Sequence, residues 1–185
     1  MEHNKTVIVT GFEPFGEHAV NASWVAVQEL KKLGLGPNVD LHITEVPVEY
    51  QAVQNLLPSL WDQYHPQLVV HVGVSGMATT VTLEKCGHNR GYMRPDNCAF
   101  CPKSGCCMEG GPDCIKSAID MDVVCKRVNN SDLGVSVSVS KDADTCVTTP
   151  TTHRCTWARD DLRSCMCPHW GTPTVRNSWR RHSEL

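Results

Sequence analysis

The sequence has no apolar run approaching the roughly 20 residues that a membrane-spanning helix needs, and its first residues, Met1-Glu2-His3-Asn4-Lys5, carry no apolar export segment. These absences predict a cytosolic protein with no membrane partner. Positive charge is not in excess either: 17 Lys and Arg stand against 20 Asp and Glu, which leaves no broad cationic surface for nucleic acid. Aromatic residues are sparse, with three Phe among 185 residues. That length suits one medium domain with a real core, and a small neutral or weakly polar ligand fits the charge best.

Cysteine, by contrast, is plentiful. Eleven cysteines would mark a disulfide scaffold in a short exported chain, but the count is odd and the chain is not short, so reduced thiols are expected. Asn21-Ala22-Ser23 and Asn129-Asn130-Ser131 match the glycosylation sequon, which has no consequence without export.

Residues 1–143 alternate between strand and helix patterns. Thr6-Val7-Ile8-Val9-Thr10 is a β-branched run closed by Gly11, read as a buried first strand. Asn21 or Ser23 is placed to cap a helix through Leu33, with Trp24, Val27, Leu30 and Leu33 on its inner face and Gly34 as its stop. A strand is predicted over Leu41 to Val48. A second helix follows from Tyr50 to Tyr64, burying Val53, Leu56, Leu57, Leu60 and Trp61, with Pro58 expected to kink or divide it. Leu68-Val69-Val70-His71-Val72, ended by Gly73-Val74-Ser75-Gly76, reads as a central parallel strand buried on both faces. Thr79 to Leu83 is extended, Lys85 to Cys114 is a long surface excursion with no usable period, Ile119 to Val128 is a helix, and Val135 to Ser140 alternates as a strand. The alternation predicts an α/β fold, a three-layer α/β/α sandwich with a mostly parallel central sheet.

After Ala143 that order stops. Residues 144–185 hold eight Thr, six Arg, four Cys and three Trp, but no Ile, Phe, Tyr or Lys, and offer neither a helical nor an alternating stripe. The expectation is a domain over 1–143 whose C-terminal elements are missing or disordered, followed by an aberrant tail over 144–185.

Two stretches carry a family likeness. Thr10-Gly11-Phe12-Glu13-Pro14-Phe15-Gly16 with Asn21-Ala22-Ser23, and His71-Val72-Gly73-Val74-Ser75-Gly76 leading to Thr82-Leu83-Glu84-Lys85-Cys86-Gly87-His88-Asn89, resemble the signatures of pyroglutamyl-peptidase I, from about Val7 to Ala143. The resemblance implies an α/β/α sandwich and a cytosolic cysteine peptidase that removes N-terminal 5-oxoproline from peptides, using a Cys, His and Glu triad and no cofactor. It places Phe12 and Phe15 around the lactam ring, where an uncharged ligand calls for flat apolar packing plus a few hydrogen bonds. By themselves these two residues also read as core, but two of the chain's three Phe in one turn tilt the balance toward a site. Glu84 matches the triad acid, which holds the imidazole in its working tautomer; taken alone it reads as a solvated carboxylate.

The other two members do not carry over. The matched nucleophile position is Thr148, and the matched imidazole position is Cys167. Cys146 and His169 lie nearby, but neither sits on a recognisable strand or helix, so they are rejected as substitutes. Written back into one consistent choice of codons and read one nucleotide out of phase, Thr145–Thr148 hold Leu-Cys-Asp and Cys165–Cys167 hold Met-His-Val. A slipped reading register near codon 144 is therefore expected. Losing about ten large apolar side chains at ~1.5–3 kcal/mol each removes roughly 15–30 kcal/mol of gross burial, so a poorly folded product with an exposed sheet edge is predicted.

Cys86, Cys98, Cys101, Cys106, Cys107 and Cys114 raise a zinc alternative, because Cys98-Ala99-Phe100-Cys101 has the spacing of half a thiolate site. The second half is irregular, so unpaired loop thiols and no metal are expected. Gly73-Val74-Ser75-Gly76 resembles part of a phosphate loop but lacks the third glycine and the Lys, and reads as a strand-end turn.

Overall fold

Alternation along the first strand sets the layers. In β1 (Lys5–Phe12), Val7 and Val9 point to one face and Ile8, Thr10 and Phe12 to the other, and all five are buried. The computed structural model describes residues 4–74, 80–140 and, as backbone alone, 156–157.

Helix α1 (Ala22–Leu33) covers the Val7 and Val9 face, where Val27 and Leu41 complete a core cluster flanked by Trp24 and Leu30. Helix α2 (Tyr50–Tyr64) covers the opposite face, where Ile8, Phe12, Val46, Val53, Leu57, Leu60, Trp61 and Val69 pack together. Between them β1 lies at the centre of a sheet, parallel to β2 (Val39–Val46) on one side and to β3 (Leu68–His71) on the other. The outer edge of β3 pairs antiparallel with β8 (Thr156–Trp157), so the sheet order is β2-β1-β3-β8. The expected α/β/α layering and mostly parallel sheet are found.

Local chemistry fixes the joints. Asn21 caps α1, its Oδ1 accepting from the Ser23 backbone N–H at 3.0 Å, and Gly34 ends the helix at φ +69°, where a side chain is strained. Gly11 is required by space: an added Cβ would lie 2.6 Å from Trp24 Cα and 2.8 Å from Trp24 N. Helix α2 runs unbroken through Pro58, so the expected division is not seen.

Other elements differ from the sequence reading. Leu33 is 84% exposed, because the helix outlasts the surface it packs on. Strand β2 begins and ends two residues early; Pro47, which has no N–H, follows it directly. In β3 Val69 and His71 are buried while Leu68 and Val70 are half-buried, rather than both faces being sealed. Two further pairs complete the described residues: β4 (Val81–Leu83) runs parallel to β7 (Val137–Val139), and β5 (Cys86–His88) runs antiparallel to β6 (Cys114–Lys116). Helix α3 (Met121–Asn129) has Asp120 as cap, its Oδ1 accepting from the Asp122 and Val123 N–H groups. The predicted strand over Val135 to Ser140 shortens to β7, and Val135 is exposed. Most of the segment 144–185 lies outside the described residues.

Candidate active site

In open parallel sheets the crevice for a ligand lies at the carboxyl ends of the strands, where the strand order turns. Here that place is the exit of β1 beside the exit of β3. Thr10 and His71 face each other in register there, Thr10 Oγ1 lying 2.7 Å from His71 Nδ1, and both are buried. The Val72 N–H donates to the Thr10 carbonyl at 2.8 Å. Sequence reasoning took His71 as one member of an apolar run and missed this pair.

The loop that leaves β1 is held from three directions. The Phe12 N–H donates to Ser23 Oγ at 3.0 Å, and Ser23 Oγ donates in turn to Asn21 Oδ1 at 2.8 Å. Asn21 Nδ2 donates to the Glu13 carbonyl at 2.9 Å, and the Glu13 N–H reaches the Val46 carbonyl at 3.0 Å. Asn97 Nδ2, arriving from the excursion, donates to the Pro14 carbonyl at 3.0 Å. Asn21 is only 4% exposed and its amide is committed on both sides, so this sequon serves as a brace for the loop. Phe12 is 2% exposed and belongs to the core cluster under α2. Phe15 is half-buried, packs on that cluster, and lies 5.4 Å from the His18 ring, tilted by 60°. Burial and the nearby Glu13 carboxylate raise the Glu45 carboxyl above its ordinary range, so two acids crowd the ends of β1 and β2.

The excursion is not the plain surface loop expected. Its Asp96 carboxylate accepts from the Tyr50 N–H at 2.9 Å and so caps α2, while also accepting from the Cys98 and Phe100 N–H groups. The Asn97 N–H donates to the Val48 carbonyl at 3.0 Å. Tyr50 donates its hydroxyl to the Arg94 carbonyl at 2.9 Å and meets Tyr92 and Phe100 edge to face. Burial, then the nearby Cys101, Asp96 and Cys107, push the Tyr50 phenol up to about 12. The segment thus forms a flap seated over the strand ends.

Glu84 comes from a different support. It directly follows β4, is half-buried, and is fixed on both sides by Ser140: the Ser140 N–H donates to the Leu83 carbonyl at 3.0 Å and the Lys85 N–H to Ser140 Oγ at 3.2 Å. Phe12 and Phe15 belong to the end of the four-stranded sheet, whereas Glu84 belongs to the β4–β7 pair. Ser75 and Gly76 of the strand-end turn lie outside the described residues, as do Thr79, Cys146, Thr148, Cys167 and His169.

Of the cysteines, Cys86 and Cys114 converge with His88 on the β5–β6 hairpin, the three ligand atoms lying within 4.8 Å of one another. Cys98 and Cys101, the spacing-based candidates, are not in this group. Burial, then the hydrogen bond and charge of Cys86, push the Cys114 thiol up to about 11.

Residues 5–158 match the profile of the pyroglutamyl peptidase family. Pyroglutamyl-peptidase 1 of Rattus norvegicus is 71% identical over 139 residues, which cover 75% of this chain and 66% of the rat protein. The chain thus spans just under two thirds of that relative's length. Pyrrolidone-carboxylate peptidase of Thermococcus onnurineus is 31% identical over 143 residues, 77% of this chain and 70% of that protein. The crystal structure of Bacillus amyloliquefaciens pyroglutamyl peptidase I superposes with a TM-score of 0.70 at 26% identity, covering 81% of this chain and 70% of that one.

Proposed function

The chain belongs to the pyroglutamyl peptidase family of cysteine peptidases, and from that premise we propose that its ligands are peptides with an N-terminal 5-oxoproline, that Phe15 offers the ring an apolar face with the core residue Phe12 packed behind it, and that Glu84 is the triad acid. In this form the peptide is bound but not cleaved. Thr148 stands where the nucleophile is expected and Cys167 where the imidazole is expected, because 144–185 is read out of register. A carboxylate without a thiolate and an imidazole has no proton to direct and no nucleophile to activate. The work is done in the cytosol, without a cofactor and without nucleic acid or membrane.

The observation that carries this reading is the braced loop after β1. Asn21, Ser23 and Asn97 hold Phe12 to Phe15 by side-chain hydrogen bonds that use no residue beyond 97. A recognition loop supported in this way does not depend on the missing triad members.

The test pairs calorimetric titration of the full chain with a 5-oxoprolyl peptide and a turnover assay on a fluorogenic 5-oxoprolyl amide. Binding without release of the fluorophore is expected. Hydrolysis at a rate approaching that of an intact relative overturns the inactivity, and its loss in Cys146→Ser would identify an improvised nucleophile. Absence of binding overturns the assignment of Phe12 and Phe15.

A further inference from the structure

We propose that Cys86, His88 and Cys114 form a site for one thiophilic d10 cation, zinc foremost, with its fourth position open to water. Cys86 and His88 are two apart on β5 and so share a face, and His88 is the register partner of Cys114 on β6. Cys86 Sγ lies 3.5 Å from His88 Nε2. In a tetrahedron with zinc–sulfur and zinc–nitrogen bonds of about 2.3 and 2.0 Å, the sulfur–nitrogen edge is about 3.5 Å and the sulfur–sulfur edge about 3.8 Å. The trio, within 4.8 Å throughout, is therefore near its bound spacing already.

The frame around it is firm. The Ser117 N–H donates to the Lys85 carbonyl at 2.7 Å and the Asn89 N–H to the Asp113 carbonyl at 2.9 Å, closing the hairpin at both ends. Tyr92 donates its hydroxyl to the His88 carbonyl at 2.8 Å, and the buried Asn89 side chain bonds the Met108 and Gly111 backbone. Two thiolates and a neutral imidazole balance a divalent charge. A cation here would tie together the two ends of the flap that leaves β5 and returns at β6, and would act on flap order rather than on hydrolysis.

The full chain, reduced and freed of metal by chelation, is titrated with cobalt(II). One equivalent should bind with tetrahedral d–d bands and a thiolate charge-transfer band, zinc should displace it, and zinc should slow tryptic cleavage at Lys103 by about tenfold. Cys114→Ser should abolish that equivalent, whereas the double variant Cys98→Ser, Cys101→Ser should retain it. Cys114→His keeps three ligands and should restore binding with a charge-transfer band about half as intense, so a simple folding defect in Cys114→Ser does not mimic the result. Full-strength cobalt bands in Cys114→Ser, their loss in the Cys98 and Cys101 variant, or a Cys114→His protein with unchanged charge transfer would each overturn the site.

Discussion

Replacing Gly11 by Ala tests how β1 is joined to α1. The added methyl group would lie 2.6 Å from Trp24 Cα and 3.0 Å from the Ser23 carbonyl carbon, all backbone atoms that cannot swing aside. Helix α1 must retreat by about 1 Å to reach ordinary contact, which costs ~1–3 kcal/mol as overpacking. That retreat stretches the 3.0 Å bond from the buried Phe12 N–H to Ser23 Oγ, and an unmet buried donor adds ~1–3 kcal/mol. Together about 2–6 kcal/mol is at stake, or roughly a 30- to 20,000-fold fall in the hydrogen-exchange protection of the Phe12 amide, at ~1.4 kcal/mol per tenfold. Exchange of this one amide is the right assay, because it reads the joint whether or not the whole chain unfolds cooperatively. Gly16→Ala is the control: it too is strained, at φ +57°, but nothing lies within 4 Å of the new methyl. Its effect on Phe12 should be at least tenfold smaller. Protection in Gly11→Ala within threefold of the parent, or equal falls in the two variants, would refute the reasoning.

Three further outcomes are expected. Asp96→Ala removes an acceptor used by three N–H groups, one of them the first of α2, and should cost about 2–4 kcal/mol and speed proteolysis of the flap more than Asn97→Ala, which loses a single side-chain bond worth about 1 kcal/mol. The Tyr50 phenol, raised to about 12, favours the folded state fully below the ordinary tyrosine value near 10 and loses that contribution as pH climbs from about 10 to 12. Discounted for nearby solvent this is about 1–2 kcal/mol; stability measured across that window should fall in the parent and stay flatter in Tyr50→Phe. Ser23→Ala should lower Phe12 amide protection as well, since it removes the acceptor without moving α1.

How legible each part was depended on whether a periodic signal carried it. The first strand, the helix capped by Asn21 and stopped by Gly34, and the helix over Tyr50 to Tyr64 all rest on apolar periods with chemical punctuation, and each was read to within two residues at its ends. The flap was not, because its order comes from Asp96 and Asn97 bonding to distant backbone and from Tyr50 meeting Tyr92 and Phe100. None of these leaves a period. Leu33 was misplaced because a helical stripe continues past the sheet it packs on. The cysteine and histidine trio was hidden for a similar reason: its third ligand comes from cross-strand register, whereas Cys98 and Cys101 advertise a spacing that the fold does not bring to His88.

A slipped reading register over residues 144–185 has a sharp functional consequence. The backbone on either side of Glu84 is tied to Ser140, through the Leu83 carbonyl and the Lys85 N–H, which sets the place of the proposed acid. If only the thiol and the imidazole are missing, moving the reading frame by one nucleotide at codon 144 should return both and raise turnover of a 5-oxoprolyl amide by at least about 10⁴-fold, the usual cost of losing a triad member. Affinity for the peptide should change far less, because the loop from Phe12 to Phe15 is braced by Asn21, Ser23 and Asn97 in either form. A restored chain that binds the peptide yet leaves it uncut would refute the slipped register, and a transcript in which no other frame beyond codon 144 encodes the family ending would do so without any enzyme assay.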